Sequence, residues 1–462
     1  MATSVPKQKI LIYLKWIITL LIPGVVLLTP SNELYTWEMH QFLAIVIFCI
    51  MCIAFEFFNI MIPALLMSMG FMACNLAPLE IIFGGWANTL PYQVIGAFVL
   101  ANVLEETGLL KRVAYWTMLK TGGTYRGIVF GVWLAAILAS FMTSCNAFVV
   151  IATLCYGICK SLNLKASPET TVIFTAGIMG SITAWIMIYF PAQMPFLITA
   201  GQSINPDFNI TWLEFLFDNA PYFLISIITL WVLTKIMKPA QLIQGKTAIK
   251  EMYDSLAPIS ISEKKSSIIV LGILLFLITG NFHKINLAWG LMFGPWLLYM
   301  PGINVGTKKA IDNINFGLIF FIIACMSIGN ISNYLGFSTL MSNLVVPILQ
   351  NLSGTVVLIF FGLFAAVLNF VLTPMAILGA FTQPFAQIAV DLGINLKGAL
   401  YALYWGTDQI LLPHEINAVL IFFSFGLMPM GQFVKTFFIK FCVFFVGFLL
   451  IMLPWWHLIG VL

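Results

Sequence analysis

The chain is 462 residues long, 61% hydrophobic and only 8% charged, with a formal charge of +4 and a mean hydropathy of +1.02. Soluble domains carry about 25% charged residues, so a water-covered surface of this size is excluded and a lipid bilayer is the solvent that fits. The small positive charge is a matter of membrane topology, and no nucleic-acid partner is expected.

Lys7, Lys9 and Lys15 precede an apolar run that ends near Pro30, with no small-residue cleavage site after it. That pattern predicts an uncleaved first helix near 10–29. Apolar runs of about 20 residues can cross the hydrocarbon core, and there they must be helical to satisfy their own backbone groups. Such runs follow near 40–55, 57–76 and 92–109. A basic stretch comes next (Lys111, Arg112, Lys120, Arg126), then Lys160 and Lys165, then helices near 168–200 and 219–237. Residues 238–265 form a long polar segment holding Lys238, Lys246, Lys250, Lys264 and Lys265, expected to be a cytoplasmic linker between halves. Helices near 266–281, 285–301, 314–333, 398–425 and 436–458 complete the chain.

A cytoplasmic N-terminus obeys the positive-inside rule. Of the 21 Lys and Arg, only Lys284 and Lys397 then fall outside, while Asp207, Glu214 and Asp218 sit on an outer loop. The expected location is the cell's inner (plasma) membrane. Residues 123–160 and 355–390 are long and apolar, yet each has flanks that belong on one side. Each is expected to be a re-entrant helical hairpin, its tip buried in protein or facing a water-filled cavity. Of the eight cysteines, Cys49 and Cys52 are separated by two residues, but inside an apolar run, and Cys49, Cys52 and Cys74 read as small core residues. Glu56, Glu105 and Glu106 lie near helix ends, the latter two expected to pair with Lys111 or Arg112.

The halves repeat. QVIGAFVLANVLEETGLLKRV at 93–113 matches LIFFIIACMSIGNISNYLGFSTLM at 318–341 as an apolar helix, a polar cluster, a glycine and a new helix. An offset of 228 residues carries Gly108 to Gly336, Asn146 to Pro374 and Ile178 to Gly406. On the lysine topology the two copies run in opposite senses, so the repeat is inverted. Inverted repeats with broken helices bind substrate and coupling ions near the membrane midplane. The predicted breaks are the hairpin tips and the proline-bearing stretches MIYFPAQMP at 187–195 and GTDQILLPHEI at 406–416.

The element order, the LEETGLLKRVA stretch and the two hairpin-plus-broken-helix units resemble the divalent-anion/sodium symporter family of the ion transporter superfamily. The resemblance covers nearly the whole chain. It implies an all-α polytopic fold with a scaffold (1–110 and 266–333) and a moving transport domain (123–237 and 355–458). It also implies an elevator motion, a homodimer, contact with membrane lipid and a small anionic substrate. The only cofactor would be sodium or a proton as coupling ion. The family places Ser-Asn-Thr at each tip, where this chain has Cys145-Asn146-Ala147 after Thr143-Ser144, and Pro374-Met375-Ala376 after Thr373. The tip residues Ser144, Cys145, Asn146, Ala147, Thr373, Pro374 and Met375 by that resemblance, and Gln193 and Glu415 as polar groups in the broken helices, are the candidates to face substrate. Thr143, Ser144, Asn146, Gly180 and Thr373, together with the intramembrane Asp408, His414 and Glu415, are the candidates for the coupling ion or proton. A hard cation wants several oxygens. The first tip supplies them, with carbonyls from Gly177 to Ser181, and the second supplies few.

Asp408 and Glu415 are acids inside an apolar segment, with His414 beside Glu415. An Asp at mid-helix costs roughly 2.5–3.5 kcal/mol to insert, so such residues mark cavities or ion paths. Three roles stay open: capping the half-helix around Pro413, ligating a cation, or carrying a proton. A zinc hydrolase is excluded because His-Glu-x-x-His would need a histidine where Ala418 stands. Trp185 and Trp405 are candidate cavity lining. The expected function is secondary active transport of a small organic anion, with a channel or a transport-inactive receptor on the same scaffold as the alternative.

Overall fold

The computed structural model describes residues 5–55, 57–239, 243, 245–283 and 285–462; Glu56 and Lys284, placed above from sequence, lie outside the described residues. The first half runs α1 Val5–Leu28, α2 Trp37–Ala54, α3 Met61–Ala73, α4 Leu79–Ile82, α5 Leu90–Thr107, α6 Leu109–Thr121, α7 Tyr125–Thr143, α8 Phe148–Ser161, α9 Pro168–Ser181, α10 Met194–Ile204, α11 Trp212–Asp218, α12 Pro221–Ile236 and α13 Lys246–Asp254. The second runs α14 Ile261–Ile278, α15 Gly280–His283, α16 Ala288–Phe293, α17 Lys308–Asp312, α18 Phe316–Tyr334, α19 Phe337–Leu349, α20 Gly354–Leu368, α21 Pro374–Asp391, α22 Leu396–Thr407, α23 Asn417–Ser424, α24 Met430–Gly447 and α25 Leu453–Leu458. No strand occurs among the described residues.

Local chemistry sets many of these boundaries. Thr36, Thr124, Ser167, Thr211 and Ser260 each stand just before a helix and accept a hydrogen bond from a first-turn N–H, satisfying a donor that has no partner within the helix. Gly108 separates α5 from α6 with φ of +82°, and Gly336 separates α18 from α19 with φ of +76°. Only glycine adopts that left-handed conformation without strain. The α5–α6 pair bends there by 69°.

The repeat is visible in the helix boundaries. Shifting the chain by 228 residues places α6 on α19, and the starts of α7 and α9 within a residue of those of α20 and α22. It likewise places α2 near α14, α3 near α16 and α4 near α17. Both hairpins (α7–α8 and α20–α21) and both broken helices (after α9 and after α22) recur in register.

Among the described residues, α2, α7, Pro168–Ile186, Lys308–Tyr334 and Met430–Leu458 are long and apolar enough to cross a bilayer. The bent pairs α5–α6 and α11–α12 add up to two more spans. Because α7 alone has spanning length, the return of the first hairpin rests on the basic residues at its two ends rather than on helix length. Several sequence boundaries change: the helix expected near 266–281 begins at Ile261, and that near 285–301 reduces to α16 and a 3-10 turn. The linker 238–265 contains α13, whose start is held by the Gly245 N–H donating to the Gly123 carbonyl at 2.7 Å. The last helix begins at Met430 rather than near 436.

The chain packs as two compact units. The first comprises Met1–Pro91, Pro195–Asn209 and Asn315–Leu403. In it α18 lies against α3 and α21. The Ser327 hydroxyl donates to the Ile82 carbonyl at 2.6 Å, and the Gln383 amide donates to the Ser203 hydroxyl. The second comprises Tyr92–Met194, Ile210–Ile314 and Tyr404–Leu462. There α7 lies between α6 and α9, and α12 lies against α24. At Gly180 a Cβ would come within 2.5 Å of the Ala136 Cβ and 2.6 Å of the Trp133 carbonyl, so the α7–α9 approach requires glycine. Each unit therefore joins the opening helices of one repeat to the hairpin helices of the other.

Candidate functional site

The first hairpin tip is a tight, internally bonded turn. Ser144 and Cys145, neither of them glycine, both take left-handed backbone, with φ of +51° and +67°. Such conformations cost energy and collect at functional sites. The Thr143 hydroxyl donates to the Ala139 carbonyl at 2.8 Å and accepts from the Asn146 N–H at 3.1 Å. The Asn146 amide donates to the carbonyls of Thr143 and Ser144 at 3.3 and 3.2 Å. Ala147 caps α8 with no side-chain hydrogen bond. The tip thus offers a half-buried Asn146 and a helix N-terminus that no side chain covers.

Beside it, both broken helices supply buried polar groups. The Tyr404 hydroxyl faces the Gln193 side-chain oxygen at 2.9 Å and the Trp185 carbonyl at 3.0 Å. Gln193, Trp185, Trp405, Tyr222 and Gln409 are all buried, and each keeps a side-chain polar atom with no partner in the chain. Buried polar atoms without partners are uncommon in folded proteins and call for a specific explanation. At the equivalent break of the first repeat, the Gly180 carbonyl accepts the Ser140 hydroxyl at 2.9 Å.

The acids are engaged. The Asp408 carboxylate accepts from the Lys440 ammonium at 2.6 Å, and the same ammonium donates to the Asp408 carbonyl at 2.7 Å. The Lys440 side chain is fully buried and packs over the Phe444 ring at 4.8 Å. The Thr183 hydroxyl lies beside Asp408. The Glu415 carboxylate accepts the N–H groups of Leu412 at 2.8 Å and Leu411 at 3.1 Å. These contacts are those of the backbone-capping role among the three open to the acids. His414 is exposed.

Thr143, Ser144, Cys145, Asn146, Ala147, Gly180, Gln193, Asp408, His414 and Glu415 all belong to the second unit. Thr373, Pro374 and Met375 belong to the first unit, where the Thr373 hydroxyl caps α21 through the Ala376 N–H. Neither Tyr404 nor Lys440 is among the candidates read from the sequence. Lys440 sits inside the last apolar span, and that position was the signal available to find it. Arg112 pairs not with Glu105 or Glu106 but with Glu263, at 2.7 Å. Glu106 accepts the Thr307 hydroxyl.

A helical, polytopic chain with repeated hairpins and broken helices has the architecture of secondary transporters. The chain belongs to the citrate transporter family, whose sequence model matches residues 50–406. It is 26% identical over 317 residues to a "Membrane protein" of Cupriavidus necator, covering 62% of this chain and 60% of that relative's length. Its fold is similar to two solved transporters at 15% sequence identity. The Alcanivorax borkumensis YdaH transporter aligns over 98% of both chains with a TM-score of 0.55. Neisseria gonorrhoeae MtrF, described as illuminating a class of antimetabolite efflux pumps, aligns over 96% of this chain and 94% of that one, with a TM-score of 0.56.

Proposed function

We propose that this chain is a secondary active transporter of a small organic anion, a carboxylate by chemical class, working by alternating access as the divalent-anion symporters do. The observation that carries the reading is the strained tip at 143–147. Two non-glycine residues in left-handed backbone present Asn146 and the uncapped start of α8, next to a buried cluster with unpartnered donors. A helix N-terminus has free N–H groups and a positive dipole end, which favour a carboxylate. Membership of the citrate transporter family supports the same class of substrate.

In this reading Asn146, Ser144, Cys145, Ala147 and Gln193 contact substrate, with Thr373, Pro374 and Met375 as the second repeat's counterpart. The unpartnered N–H groups of Trp185 and Trp405 line its path. Coupling is to sodium or protons, with Thr143, Ser144, Asn146 and Gly180 as the first repeat's ion candidates. The protein works as a homodimer in the plasma membrane with its N-terminus in the cytoplasm, and an elevator motion carries the hairpins across. The test is uptake of a labelled di- or tricarboxylate into proteoliposomes. Asn146→Ala is expected to abolish saturable uptake while leaving the detergent-solubilised protein folded. Full uptake by this variant would remove the tip from the mechanism.

A further inference from the structure

The broken helix after α22 ends at a cation that belongs to the chain. Half-helix C-terminal ends expose carbonyls without partners, and in transporters of this architecture they coordinate coupling cations. Here the carbonyl just past the end of α22, that of Asp408, is met by the Lys440 ammonium at 2.7 Å, with the Asp408 carboxylate at 2.6 Å. We propose that Lys440 is a tethered cation that takes the place of a mobile coupling ion at this half-helix end. The proposal rests on the transporter reading above, and it leaves any mobile coupling cation to the first repeat.

Three observations support it. First, the site needs no charge merely to close its backbone. The equivalent carbonyl in the first repeat, Gly180, is satisfied by the neutral Ser140 hydroxyl at 2.9 Å. Second, a buried ion pair is a poor device for stability, because desolvating two charges can outweigh their attraction. Charged groups inside a membrane span are accordingly rare, and they mark ion or substrate pathways. Third, the ammonium itself occupies the half-helix end. It is fully buried, it contacts one carboxylate and one carbonyl oxygen, and it faces the Phe444 ring at 4.8 Å.

The test uses thermal unfolding of the whole protein in detergent, which needs no uptake and so does not depend on the transporter reading. Wild type, Lys440→Ala, Lys440→Gln and the Lys440→Ala, Asp408→Asn double variant are compared in sodium, methylammonium and choline chloride at equal ionic strength. A free cation that fills the vacated position stabilises by mass action. The expected result is a saturable rise in Tm of about 3–5 °C for either single variant in sodium or methylammonium over choline. The double variant should show no such rise. Equal behaviour of single and double variants would overturn the proposal. So would recovering neither single variant folded in sodium or methylammonium, since no free cation could then replace the lysine. Independently, wild-type counterflow in proteoliposomes tests the transporter reading itself.

Discussion

Tyr404 has one hydroxyl proton and two acceptors in reach, the Trp185 carbonyl and the Gln193 oxygen. Removing the hydroxyl leaves buried acceptors unpaired, which costs about 1–3 kcal/mol. Tyr404→Phe is therefore expected to lower thermal stability in detergent and to raise the KM for uptake, because Gln193 loses its orienting partner. A change in stability with an unaltered KM would confine Tyr404 to packing. A second residue-scale prediction lies at the membrane surface. Glu263 stands in the first turn of α14, ahead of its apolar run. Burial raises its carboxyl, but the hydrogen bond from Arg112 and the Ser260 N–H outweigh that and hold it below the usual range. A carboxylate depressed in the folded state contributes stability above its unfolded value, and loses it as pH falls through the folded one. Glu263→Gln should therefore destabilise at neutral pH, by on the order of 1 kcal/mol for a pair near the surface. The difference from wild type should vanish in acid; a pH-independent difference in Tm would contradict the ion pair's role. Asn146 and Gln193 were legible as polar residues at predicted breaks in apolar helices. Lys440 already lay within the predicted last helix, but its partner Asp408 is 32 residues away, and that pairing is tertiary.

At the scale of elements, the helix–glycine–helix unit occurs twice. No atom lies within 4 Å of a Cβ built on Gly108 or Gly336. Substitution there therefore carries only the left-handed backbone cost, about 1–2 kcal/mol for an ordinary L-residue. Gly108→Ala and Gly336→Ala are expected to lower Tm by similar amounts, with Asn milder than Ala at both positions. A large cost at one site and none at the other would break the equivalence of the repeats at this turn. The repeat was readable because turn chemistry is local: a glycine between two apolar runs fixes a bend whatever surrounds it. Helix α13 was not readable. Its nine residues lie in a polar stretch, and what holds it is tertiary, the Gly123 carbonyl at Gly245 and packing on α6.

For the whole molecule, composition fixed the solvent and lysine placement fixed the expected orientation. Packing follows a different grouping from the sequence halves. Each compact unit combines α2–α4 or their counterparts α14, α16 and α17 with the hairpin helices of the opposite repeat. That grouping depends on contacts far apart in the chain, which apolar periodicity does not encode. The central claim is that this molecule is a carrier, and counterflow tests it most directly. Proteoliposomes loaded with unlabelled citrate or a dicarboxylate should accumulate labelled anion transiently and saturably. Linear, non-saturating flux without exchange would contradict the account and show a channel instead.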